Sequence, residues 1–248
     1  MTNIVEKWAT VKTGTGPMSV FIAEPAAKKG ATEKHKTIIV YQEAFGVTSH
    51  IRSVCTRFAE QGYVAAAPEL FHRIGDHHEV SYSDFTKVMP ILSGLTNAQF
   101  IDDATATYEY LVEQPSVDRS RVAAIGYCMG GFVAALSACH LSLKAAVSYY
   151  GGGMARVRPN IGFTPILEDF KNLRCPLLLV YGEKDQSIPK EDRDAVAAQL
   201  KALNKKFDAW VYPEAGHAFF CDERPAYHEP SAKDVWPKTL AWLAEQLK

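Results

Sequence analysis

Three residues of this 248-residue chain stand where acyl-transfer chemistry would need them. Cys128 lies in Gly126-Tyr127-Cys128-Met129-Gly130-Gly131, directly after the apolar run Val122–Ile125 and before an Ala-rich stretch. That is the spacing of a nucleophile elbow, with cysteine in place of serine. An elbow turns a strand sharply into a helix, so only small residues fit two positions away on either side. It leaves the nucleophile exposed at a helix N-terminus, where the dipole favours a thiolate. Taken alone, the motif has a plain rival, a buried cysteine beside a glycine turn.

Two further groups complete a chemical set. Asp185 follows the apolar run Leu177–Tyr181 in Gly182-Glu183-Lys184-Asp185, and His217 follows Ala209–Tyr212 in Pro213-Glu214-Ala215-Gly216-His217. Nucleophile, acid and histidine thus occur in the chain order of one known triad arrangement, each just past a strand end. Cys128 would attack a carbonyl and His217 would carry protons. Asp185 would hold the imidazole in one tautomer and stabilise its cation.

The elements that must position them are legible as short apolar runs separated by helical stretches. Ile38–Tyr41, Val64–Ala67, Val122–Ile125, Ala145–Tyr149, Leu177–Tyr181 and Ala209–Tyr212 read as strands, with helices at 47–61 and 232–247 among the connections. Strands buried on both faces and alternating with helices imply right-handed crossovers and a mainly parallel sheet. The expected class is α/β, the sheet flanked by helices on both faces. Lys7–Lys12 and Met18–Glu24 alternate better and predict an antiparallel edge hairpin turned at Gly14-Thr15-Gly16-Pro17. Residues 26–36 read as a solvated loop. Residues 1–248 read as a single domain, in which 71–100 break the rhythm as a partly helical covering segment near the site.

Composition narrows the function. A net charge of −1 supplies no basic field for a phosphate backbone, which argues against nucleic acid as a partner. No apolar leader precedes Lys7 and no uninterrupted apolar stretch reaches membrane length, so a soluble cytoplasmic protein without a membrane partner is expected. Five cysteines are too few and odd in number for a secreted disulfide framework. Cys55, Cys139 and Cys175 fall in apolar contexts and read as small core residues.

Over nearly its whole length the chain resembles the dienelactone hydrolase family of the α/β-hydrolase fold. The matching residues are Gln42-Glu43-Ala44-Phe45-Gly46, Pro68-Glu69-Leu70-Phe71, Gly126–Gly131, Gly182–Asp185 and Gly216-His217. The resemblance implies hydrolysis of a small lactone or ester through an acyl-enzyme on Cys128. It implies that Glu43 contacts the resting thiol and takes its proton when substrate arrives. The backbone N–H groups of Ala44 and Met129 would form the oxyanion hole.

The chain departs from that pattern where dienelactone's carboxylate is held by arginines. The position four residues after His217 is Cys221, and Ser81–Leu95 contains Lys87 but no arginine. Neutral esters or lactones are therefore expected to compete well with acidic ones. Arg73 and Arg224 are candidate substitutes, and Tyr149 and Phe219 candidate walls of an apolar pocket. His72, Asp76, His77, His78 and Glu79 are of metal-binding type, but their spacing matches no established motif, so neither a metal nor a cofactor is expected. A redox sensor or a non-catalytic binding protein on the same fold is the rival to the enzyme.

Overall fold

The computed structural model describes residues 3–27 and 33–248. Its eight strands are β1 Ile4–Thr13, β2 Gly16–Pro25, β3 His35–Tyr41, β4 Val64–Pro68, β5 Val117–Tyr127, β6 Ala145–Tyr149, β7 Leu177–Gly182 and β8 Phe207–Tyr212. They form one sheet in the order β1-β2-β4-β3-β5-β6-β7-β8. The first two pairings, β1 with β2 and β2 with β4, are antiparallel, and all the others are parallel. The edge hairpin and the six central and distal strands are those the apolar runs predicted. Within the expected loop at 26–36, residues 28–32 lie outside the described residues.

Among the described residues five α-helices lie between strands, α1 Ser49–Glu60, α2 Phe85–Gly94, α3 Asn97–Val112, α4 Met129–His140 and α5 Lys190–Ala202, and α6 Glu229–Gln246 follows β8. On one face α1 packs with α6 through Phe58 and Trp236, whose rings are 4.8 Å apart. On the other, α3 meets α4 through Phe100 and Phe132 at 6.2 Å. β4 reads Val-Ala-Ala-Ala-Pro and is wholly buried, its small side chains leaving room for helices on both sides. β4 ends at Pro68, which lacks the N–H needed to extend the ladder. α3 starts on a capping box, with Gln99 N–H donating to Thr96 Oγ1 and Thr96 N–H donating to Gln99 Oε1.

The parallel strands β3, β5, β6 and β7 point their carboxyl ends the same way, and the loops beyond those ends carry the chemistry. α4 is buried along nearly its entire length, which anchors the residue at its start against the centre of the sheet. The segment 71–100 contains α2 and the first turn of α3. Val88 and Leu92 of α2 face the protein, while Phe85 and Met89 are exposed.

Candidate active site

Cys128 joins β5 to α4 with φ +56° and ψ −117°, a conformation that a residue with a Cβ rarely adopts. Its N–H donates to Tyr149 O at 3.0 Å, and its carbonyl accepts from Gly131 N–H at 2.9 Å. Both ends of the turn are therefore held by backbone. The flanking glycines are required by close approach. A Cβ on Gly126 would lie 1.9 Å from Gly130 O, and one on Gly130 would lie 2.2 Å from Tyr41 O. The thiol is half-buried, at the N-terminus of a helix whose first N–H groups have no intrahelical acceptor.

Asp185 sits just beyond β7, and its side chain is fully buried. Oδ1 accepts from Ser187 N–H at 2.8 Å, which fixes the carboxylate in its turn. Oδ2 faces His217 Nδ1 at 2.7 Å, so Nδ1 carries the hydrogen and Nε2 is left for the cavity side. The next residue, Ala218, has φ +62°, and the Tyr150 ring lies edge-on to the imidazole at 5.2 Å. Burial opposes protonation of His217. The neighbouring Cys128 and the hydrogen bond and charge of Asp185 together outweigh it, raising the pKa to about 10.

Glu43 follows β3 and is buried. Its Oε1 accepts from Arg224 Nη1 at 3.1 Å, while Oε2 has no hydrogen-bond partner among the described residues. Arg224 lies over the rings of Phe45 and Tyr82, at 5.0 and 5.5 Å from their centroids. Burial works against the arginine's charge, but Glu43 and then Cys128 favour it, and its pKa rises. Cys221, four residues after His217, is buried with its Sγ 3.6 Å from Tyr82 Oη.

Cys128, His217, Ala44, Met129 and Arg224 open onto one cavity of about 750 Å³. Phe45, with Phe85, Val88, Met89 and Leu92 of α2, gives it an apolar wall. α2, within residues 71–100, thus lines this cavity.

Several candidate residues lie elsewhere. Arg73 does not reach the cavity: Asp103, fully buried, takes it in a bidentate pair at 2.8 Å on each arm. A buried carboxylate facing a guanidinium fork outcompetes a distant ligand for it. Tyr149 and Phe219 are fully buried, and Tyr149 Oη pairs with Thr239 Oγ1 at 2.7 Å, so they pack the core beneath the site. The His-rich segment disperses: His72 bonds Asp103 and Pro17 O, while Glu79 pairs with Arg52. Glu69, Asp76 and His77 bring ligand atoms within 4.8 Å of one another, with the His77 ring nitrogens already facing the two carboxylates at 3.0 and 3.6 Å. Reading the sequence missed Arg158, Ile161 and Phe163, which line the cavity from the loop after β6. Its one signal was the run Gly151-Gly152-Gly153 directly past a strand end.

The chain is similar to known proteins over most of its length. A profile described as "Dienelactone hydrolase family" matches residues 18–247. A protein of Salmonella typhimurium named "Putative carboxymethylenebutenolidase" is 39% identical over 232 residues, 92% of this chain and 83% of that protein. One of the same name from Synechocystis sp. is 33% identical over 230 residues, 92% of each chain. The crystal structure of a "Putative Dienelactone Hydrolase" from Klebsiella pneumoniae superposes with a TM-score of 0.88 at 36% identity, covering 98% of this chain and 99% of that one.

Proposed function

The chain belongs to the dienelactone hydrolase family of the α/β-hydrolase fold, and on that premise we propose that it hydrolyses a small lactone or carboxylic ester through an acyl-enzyme on Cys128. The observation that carries this reading is the 2.7 Å Asp185–His217 bond beside an elbow cysteine that opens onto the same cavity.

The thiolate of Cys128 attacks the carbonyl carbon, and the carbonyl oxygen becomes an oxyanion. Ala44 and Met129 present their backbone N–H groups to it, one from the loop after β3 and one from the start of α4. The C–O bond to the alcohol breaks as His217 Nε2–H gives the leaving oxygen its proton. Water then attacks the thioester, with His217 taking one of its protons. Collapse of the second tetrahedral intermediate expels the thiolate and leaves the carboxylic acid. Asp185 keeps the imidazole oriented in both halves and stabilises its cation.

Glu43 deepens the chemistry of the resting enzyme. Its unpartnered Oε2 is an acceptor for the thiol proton in a buried site, while Arg224 secures the other oxygen. Residues 71–100 act as the covering segment of one domain spanning 1–248. The five unpaired cysteines fit a reducing, cytoplasmic setting, and no helix among the described residues is long and apolar enough to cross a membrane.

The test is a pre-steady-state burst with a chromogenic ester, with the acylated peptide located by mass spectrometry. Acyl adduct on Cys128 is expected, and turnover should fall by at least about a thousandfold in folded Cys128→Ala. Wild-type turnover in that variant would remove Cys128 as the nucleophile, and wild type that shows neither burst nor turnover would return the protein to the sensor or binding class.

A further inference from the structure

The cavity holding Cys128 and His217 is lined by no carboxylate side chain, yet three other cationic residues open onto it. Two of those are neutralised: Arg224 by Glu43 at 3.1 Å, and Lys184 by Glu214. The third is Arg158. Among the described residues it has no carboxylate partner within 4.0 Å, and its one side-chain hydrogen bond there runs from Nη2 to the carbonyl of Ser187. That leaves most of its five donors free. It is half-buried, and its guanidinium lies against the bare α-carbon of Gly152, where a Cβ would come within 3.0 Å of Nη2. The glycine run after β6 thus makes room for this side chain.

We propose that Arg158 is a specificity-determining residue, fixing a carboxylate on the ester or lactone whose carbonyl Cys128 attacks. An uncompensated guanidinium in a partly desolvated cavity that has no carboxylate of its own among the described residues gains from an anion and presents a planar fork that matches a carboxylate. The phenylalanines and α2 side chains take the hydrocarbon part of the same substrate. Arg158 stands on a different loop from Arg73, which Asp103 holds, and from position 221, which is cysteine. The preference for neutral substrates expected from the missing arginines is therefore reversed. This inference rests on the hydrolase reading of the site.

Arg158 has a structural rival to this role, because Ser187 ties it to the acid's loop: Ser187 N–H bonds Asp185 while Ser187 O accepts from Arg158. The experiment separates the two. Values of kcat/KM are measured for 4-nitrophenyl hydrogen adipate, which carries a free carboxylate, and for neutral 4-nitrophenyl hexanoate. The enzymes are wild type, Arg158→Ala and Arg158→Lys. Wild type should favour the adipate monoester. Arg158→Ala should lose about ten- to a hundredfold on it, chiefly through KM, with hexanoate within about threefold of wild type. Arg158→Lys should recover part of the loss, because it keeps the charge without the fork. Equal losses on both esters would assign Arg158 to support of the Asp185 loop and overturn the proposal, as would no loss on either. Failure of wild type to acylate Cys128 with either ester would overturn the hydrolase reading and this inference with it.

Discussion

Glu43 and Arg224, 181 positions apart in sequence, meet at 3.1 Å beside the nucleophile, with side chains only 1% and 12% exposed. The pair ties the loop after β3 to the segment following His217. It holds one Glu43 oxygen while the other stays free toward the site.

Removing one partner of such a pair strands the other. Arg224→Met should destabilise the protein by about 3 kcal/mol, since the Glu43 carboxylate would be left buried without compensation. Adding Glu43→Gln should recover most of that loss. Urea midpoints of the two single variants and the double variant decide it. A cost below about 1 kcal/mol for Arg224→Met would mean that water reaches the carboxylate.

His217 makes stability depend on alkaline pH. Its folded pKa of about 10 lies above its ordinary 6.5, so the folded state binds the proton more tightly. The resulting stabilisation is fully present below about pH 6.5 and is lost as pH rises through about 10. The Tm of wild type should therefore fall toward that of His217→Gln over this range, measured by circular dichroism in matched buffers. Curves that stay parallel from pH 6.5 to 10 would show that the imidazolium is not stabilised in the folded protein.

Asp185 and His217 should behave as a unit in catalysis. His217→Ala is expected to cost at least about a thousandfold in kcat, and Asp185→Asn the same or less. The double variant should be hardly worse than His217→Ala alone, because the carboxylate acts only through the imidazole. Losses that simply multiply would mean that the 2.7 Å bond is not used in the rate-limiting step.

Gly130 tests the elbow's geometry apart from its chemistry. Its missing Cβ leaves space for Tyr41 O, which a methyl would approach to 2.2 Å. Gly130→Ala should destabilise by about 3 kcal/mol and slow iodoacetamide labelling of Cys128 as α4 shifts away from β3. Wild-type stability and labelling would show that the backbone there yields without strain.

The sequence alone determined the sheet, the order of its chemistry and the elbow, because each of these is local. Runs such as Leu177–Tyr181 are apolar on both faces, and that pattern specifies a covered parallel strand without reference to the rest of the chain. Gly126 and Gly130 announce a turn that no larger residue allows. Cys128, Asp185 and His217 stand just past strand ends, and parallel strands carry their ends to one edge. The closeness of Cys128, Asp185 and His217 therefore followed from topology.

The tertiary structure decided which charges are free. Arg73, Arg158 and Arg224 look alike in sequence, and nothing local separates them. Asp103 captures the first, Glu43 holds the third, and only Arg158 faces the cavity without a carboxylate. Likewise Tyr149 and Phe219 lie beside site residues in sequence yet point into the core, while Phe163 reaches the cavity from a loop that only the glycine run 151–153 marked. Whether a charged or aromatic side chain is satisfied depends on partners brought in from distant segments. That pairing is a property of the packed chain, so local sequence places the charged residue types and only the tertiary structure decides which of them face the cavity unpaired.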